Sequence, residues 1–207
     1  MARTGGMPHA DVAFEPWTQN KLAIVDQGGH WTVWDLAAEA DSATAYQATL
    51  RFEGWIHEDH ETSYVENGPT IQDDGWGYIA WAGRVRPRTL FVCNRTYIQT
   101  FDLSSARSPP HIAPAPDLTH SSGWILDVKR SPADAAHFFV LTSSEIIWLG
   151  ITDSHDRADH ANGIAPGAEI LLSWRHFRDH EDLSLHMAVT LNQNGKLMYI
   201  LPWRTLP

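Results

Sequence analysis

Cysteine is all but missing from this chain: among 207 residues Cys93 stands alone. A single thiol cannot close an internal disulfide, so the fold must rest on packing and backbone hydrogen bonds. Cys93 ends the apolar run Thr89-Leu-Phe-Val-Cys93 and reads as a small apolar filler. Lysine is scarce as well, and 15 Lys and Arg stand against 25 Asp and Glu, a formal charge of −10. Neutralising phosphates takes clustered cations, so an acidic chain makes a poor independent nucleic-acid binder. The densest basic cluster, Arg84-Val-Arg86-Pro-Arg88, falls between two expected strands and reads as a solvated loop before a phosphate or acidic-partner contact. No apolar run reaches the ~18 residues of a bilayer-crossing helix. The stretch Met1 to Pro8 lacks the apolar centre of a signal peptide. Together these lead us to expect an intracellular, soluble protein. A sustained 3.6-residue apolar period is also missing, so helix should stay under about 15% against a usual ~30–35%.

What the chain does have is tryptophan, ten residues of it, and a recurring hairpin. Leu22-Ala-Ile-Val-Asp26 and His30-Trp-Thr-Val-Trp34-Asp35-Leu36 flank Gln27-Gly28-Gly29. Glycine supplies the positive φ of a tight reversal, and the flanking runs are rich in β-branched and aromatic residues. The pattern returns in Thr89–Cys93 with Tyr97–Leu103, and in His137–Leu141 with Glu145–Ile151. We align the endings Trp34-Asp35-Leu36, Phe101-Asp102-Leu103 and Trp148-Leu149-Gly150. A further short strand precedes each hairpin: Asp11–Phe14, Trp76–Trp81 and Trp124–Val128. Repeated four-stranded units with Trp/Asp endings point to an all-β fold, a β-propeller with WD-like blades.

Taken in order, residues 1–10 read as a disordered N-terminus and 11–207 as a partial propeller of about three and a half blades. The blades span approximately 11–52, 74–122, 124–178 and 183–207, the last incomplete. Within the first, Ala45–Phe52 supplies the fourth strand, and 54–72 reads as a long loop. Prolines 109, 110, 114 and 116 make 104–122 an extended surface connection without regular ladder bonds. Closing a propeller takes ~4–8 blades, so further blades are expected outside these residues.

The chemistry-bearing clusters are weak. His57-Glu-Asp-His60-Glu61 and His155-Asp-Arg-Ala-Asp159-His160 look ligand-like, but they fall in loops, lack cysteine and miss the His-Glu-x-x-His signature. We read them as solvated acidic loops and expect no metal and no cofactor. Asn94-Arg95-Thr96 fits a hairpin turn better than a glycosylation site. Ser173 to Asp182 is the densest polar-aromatic run, yet no Gly-x-Ser-x-Gly elbow accompanies it, and we assign no catalytic residue. Within that run, Trp174, Arg175, His176 and Arg178 are our candidates for a protein-contact surface, since Trp and Arg are favoured anchors. The competing reading turns Trp174 and Phe177 into the blade core and pairs the charges within the loop.

Several phrases, in order, carry a family resemblance: Asp11-Val-Ala-Phe-Glu-Pro-Trp17, Gly29-His-Trp-Thr-Val-Trp-Asp35, Trp124-Ile-Leu-Asp-Val-Lys-Arg-Ser-Pro132, Phe139-Val-Leu-Thr-Ser143, and Leu172-Ser-Trp-Arg-His-Phe-Arg-Asp179 with Asp182-Leu-Ser-Leu185. From roughly 11 to 201 the chain resembles the propeller region of the fungal RNA polymerase I-specific initiation factors, the Rrn-six-like subunits of core factor. The resemblance implies a nuclear and nucleolar, non-enzymatic scaffold. Its partners would be a TFIIB-like subunit, a helical-repeat subunit and RNA polymerase I at ribosomal DNA promoters, with DNA contact indirect and no membrane involved. A generic WD-type scaffold of another complex is the alternative, and a propeller hydrolase or lyase built on loop His and carboxylates is the enzyme-class competitor.

Overall fold

The computed structural model describes residues 8–18, 20–38, 46–56, 76–82, 89–95, 97–103, 111–113, 124–152, 167–175 and 186–200. Among them every regular element is a strand. In the first sheet β1 (His9–Phe14), β2 (Lys21–Asp26), β3 (His30–Ala38) and β4 (Tyr46–Trp55) lie side by side in chain order, each antiparallel to the next. The second sheet repeats this with β5 (Tyr78–Ala82), β6 (Thr89–Cys93), β7 (Ile98–Asp102) and β8 (His111–Ala113). The third does so with β9 (Ile125–Arg130), β10 (His137–Thr142), β11 (Glu145–Thr152) and β12 (Gly167–Arg175). A two-stranded hairpin follows, β13 (Ala188–Leu191) with β14 (Leu197–Ile200). The fold is a partial β-propeller.

Local chemistry sets the reversals. In the β2–β3 turn the Asp26 carboxylate accepts the amides of Gly28 and His30, both at 2.9 Å, while Gly29 sits at φ +82°. That left-handed backbone is open to glycine at little cost. In the β13–β14 turn Asn192 plays the part of Asp26, capping the amides of Asn194 and Lys196, and Gly195 takes the positive φ.

The sheets stack face to face, and the core lies between them in layers. Ala23, Val25, Trp31 and Val33 of the first blade meet Ile79, Trp81, Leu90, Val92 and Phe101 of the second. The opposite face of the second blade, with Phe91 and Cys93, meets Val128, Phe138, Val140 and Leu149 of the third. The other face of the third blade, with Phe139, Leu141 and Ile146, takes Met187 and the partly buried Val189. Strand β6 reads as an unbroken apolar run because both its faces are covered; all five of its residues are buried. Aromatic pairs bridge the layers: Trp31 with Phe101 at 4.4 Å between centroids, and Phe91 with Phe138 at 4.4 Å and only 6° from parallel.

Four details differ from the sequence reading. Strand β1 starts at His9, inside the stretch expected to be disordered, because His9 pairs with Asp26 and the Pro8 carbonyl accepts the Gln27 amide. The proline-rich connection contains a short strand: His111–Ala113 lie between Pro110 and Pro114, keep their amides, and pair with Thr100–Asp102. Strand β4 runs on to Trp55, into the start of the stretch 54–72 expected to be a loop, because Gly54 pairs with Trp31 and Trp55 with His30. In the third unit Leu149, not Trp148, stands at the Trp34 position. Aligned on the last residue pairs before each turn, the cross-strand rows are Phe14–Leu22–Trp34, Trp81–Leu90–Phe101 and Arg130–Phe138–Leu149. Trp34 and Phe101 come three residues after the first paired residue of their strands, Trp31 and Ile98, whereas Trp148 comes two after Ile146 and so faces the other side of the sheet.

Candidate functional site

Among the described residues no group of three or more His, Cys, Asp or Glu side chains is placed to hold a metal ion. The perturbed titratable groups are structural in placement. Burial pushes the Cys93 thiol well above its ordinary range, with the Asp11 charge adding to it. A thiol held protonated is a poor nucleophile. Burial likewise raises the Tyr78 phenol, with Cys93 and Asp11 contributing, and burial lowers Arg130. Two surfaces stand out among the described residues.

The first is the outer face of the first blade. Its row Phe14–Leu22–Trp34 continues into Leu50 on β4. Phe14 is 58% exposed, and Val12, Leu50 and Trp55 are also exposed. In the second blade the equivalent Trp81, Leu90 and Phe101 are buried under the first blade; in the third, Phe138 and Leu149 are buried under the second. The first blade thus presents a blade-packing face that no described residue covers. The Trp34 indole N–H donates to Thr32 Oγ1 at 2.9 Å, and the His30 ring lies 4.8 Å from that of Trp55, so the face is ordered by its own contacts.

The second is β12, the edge of the third blade. Ile170, Leu171 and Leu172 are exposed in succession. A register shift between Trp148 and Leu149 makes room for Leu171 as an extra residue, and its side chain lies over Gly150, where a Cβ would come within 3.1 Å. The first blade has the same irregularity at the equivalent place, between Val33 and Trp34. A bulge at both edges twists the strand and discourages uncontrolled pairing of its free amides.

The expected contact run begins at the end of β12. Trp174 is partly buried against the cluster of Phe139, Leu141, Ile146 and Met187, so its ring packs inward. Arg175 is 75% exposed, with Nε 3.4 Å from Glu145 Oε1. His176, Phe177 and Arg178 lie outside the described residues, as do Arg84–Arg88 and the His57–Glu61 and His155–His160 clusters. Asn94 and Arg95 do occupy a turn: the Asn94 carboxamide accepts the Tyr97 amide at 2.8 Å, and Arg95 turns inward over the Trp76 ring.

A family model described as Rrn6, beta-propeller, matches residues 1–201 of the chain. The chain belongs to the Rrn6 β-propeller family. Among curated relatives it is similar to the RNA polymerase I-specific transcription initiation factor RRN6 of Saccharomyces cerevisiae, 24% identical over 183 residues. The match covers 86% of this chain and 17% of that relative, so the chain spans about one sixth of its length. Among solved structures it is similar to the C-terminal WD40 domain of Sif2, with a TM-score of 0.45 and 9% identity over 94% of this chain and 46% of the other. It is also similar to a chain of S. cerevisiae core factor, with a TM-score of 0.36 and 12% identity over 90% of this chain and 34% of the other. The open face of this Rrn6-type first blade was not anticipated from sequence. The alternation of Val12 and Phe14 with Asp11 and Ala13 carries the signal, but it does not say which side a neighbouring blade covers.

Proposed function

We propose that this propeller is a non-enzymatic scaffold in the RNA polymerase I core initiation factor, helping to assemble the pre-initiation complex at ribosomal DNA promoters in the nucleus and nucleolus. The observation that carries the reading is the family match along residues 1–201, on a chain whose charge of −10 suits protein partners better than phosphates. Rigid blades would present edges and loops to the other core-factor subunits, a TFIIB-like and a helical-repeat protein, and to the polymerase. Contact with promoter DNA would be indirect.

Trp174, Arg175, His176 and Arg178 remain the proposed contact run. The exposed guanidinium of Arg175 supports it; the inward ring of Trp174 leaves that residue to position the strand end. Co-precipitation of the chain with core-factor subunits tests the scaffold role, and the Arg175→Ala/Arg178→Ala double variant tests the run. We expect subunit binding by the parent chain and its reduction in the double variant. Full binding by a folded double variant moves the contact elsewhere. Tight, sequence-specific binding of ribosomal promoter DNA by the chain alone overturns the scaffold reading.

A further inference from the structure

The innermost strands β1, β5, β9 and β13 are edge strands, so alternate amides on each point away from their own sheet and need acceptors from elsewhere. One such amide, that of Ile79 on β5, and the amide of Met187, the residue just before β13, end on carboxylates of the preceding blade. Asp11, on β1, accepts the Ile79 amide of the second blade at 3.0 Å with Oδ2, while Oδ1 accepts the Val12 amide at 2.8 Å. Asp127, on β9, accepts the Met187 amide at 2.7 Å with Oδ2, while Oδ1 accepts the Val128 amide at 2.9 Å and the Lys129 ammonium at 3.0 Å. The two aspartates occupy one repeat position: Asp11 pairs with Val25 and through it with Trp31, and Asp127 pairs with Leu141 and through it with Ile146. Their oxygens divide the same way, Oδ1 to the next residue and Oδ2 across the blade junction.

We infer that Asp11 and Asp127 are one device used twice, a carboxylate latch that fixes the stagger of each following blade, and that the Asp127 latch holds the β13–β14 hairpin on the third blade. The second blade carries Tyr78 at this position, and its junction with the third is made in the opposite sense. There the guanidinium of Arg95 donates to the carbonyls of Ile125 and Leu126, both at 3.0 Å, and the Ile125 amide returns a bond to the Arg95 carbonyl at 2.8 Å. Each junction thus receives one charged group whose partners across it are backbone groups of the neighbouring inner strand or, for Met187, of the residue that leads into it. Such bonds are stronger than neutral ones and directional, whereas the apolar layers alone would tolerate sliding. The junctions also differ in what backs the latch. Trp31, Phe101 and a full sheet back the first, whereas Met187 and Val189 back the last. Loss of Asp127 should therefore free the hairpin without loosening the rest, and loss of Asp11 should be felt locally at β5.

Amide hydrogen exchange on the 207-residue chain reads this directly. In Asp127→Ala we expect exchange at Met187 and through 186–200 to accelerate by about tenfold or more, with protection of β5–β7 unchanged. Asp127→Asn keeps the volume but places a donor at one of two acceptor positions, so the same local acceleration should follow at smaller size, and this variant carries the test if Asp127→Ala does not fold. Asp11→Ala should accelerate Ile79 and leave 186–200 unchanged. Unchanged exchange at Met187 in the folded Asp127 variants overturns the latch, and so does an equal acceleration in every sheet.

Discussion

The indole of Trp31 lies against Gly54, its partner across β3 and β4: a Cβ on Gly54 would stand 2.5 Å from Cζ2 and 2.8 Å from Cε2 of the ring. Glycine is required there by the ring, since its backbone is ordinary extended strand. Gly54→Ala should displace the ring from the layer between the first two blades and destabilise the chain by about 1–3 kcal/mol, the usual cost of overpacking. A shift of the urea midpoint checks this; an unchanged midpoint would mean the ring moves aside freely.

Trp31 and Trp34 lie three residues apart on one strand and should behave differently. Trp31 is 0% exposed in the core, and Trp34 is partly buried on the open face. Trp31→Ala is expected to cost about 3–5 kcal/mol through lost transfer energy and a cavity. Trp34→Ala should cost roughly 1–2 kcal/mol, in line with partial burial. Equilibrium denaturation of both variants decides it, and the reverse order would put the core on the other face of the sheet.

Phe91 and Phe138 couple the second and third blades through parallel rings. In a double-mutant cycle with leucine at each position, the interaction energy should be about 0.5–1.5 kcal/mol favourable. Strict additivity would reduce the pair to independent apolar filling.

Stability should fall in alkali. Cys93 and Tyr78 have ordinary values of 9.0 and 10.0, and burial raises both in the folded chain. Above those values the unfolded chain releases protons that the folded chain must keep, so the unfolded state gains. The contribution is complete below about pH 9 and is lost as pH rises toward the raised folded values. Urea midpoints measured from about pH 7 to about pH 11 should be flat and then decline. In Cys93→Ala the decline should begin later, near the tyrosine range. A midpoint that holds steady to the end of the series would show that neither group stays protonated at the expense of folding.

Sequence by itself determined the local elements. The hairpins were legible because their cause is local: β-branched and aromatic runs, a capping Asp26, and Gly29 at a reversal that needs positive φ. The absence of a helical period likewise anticipated the strand-only architecture of the described residues. Tertiary structure decided which face of each strand meets a neighbour, because alternation defines two faces without ranking them. That choice separates buried Trp31 from half-open Trp34, turns Trp174 inward, and leaves the Phe14 face uncovered by any described residue. It also decided the pairing of residues far apart in the chain. Asp11 with Ile79 and Asp127 with Met187 leave no local trace, since an aspartate in a strand reads the same whether it meets water or the amide of the next blade.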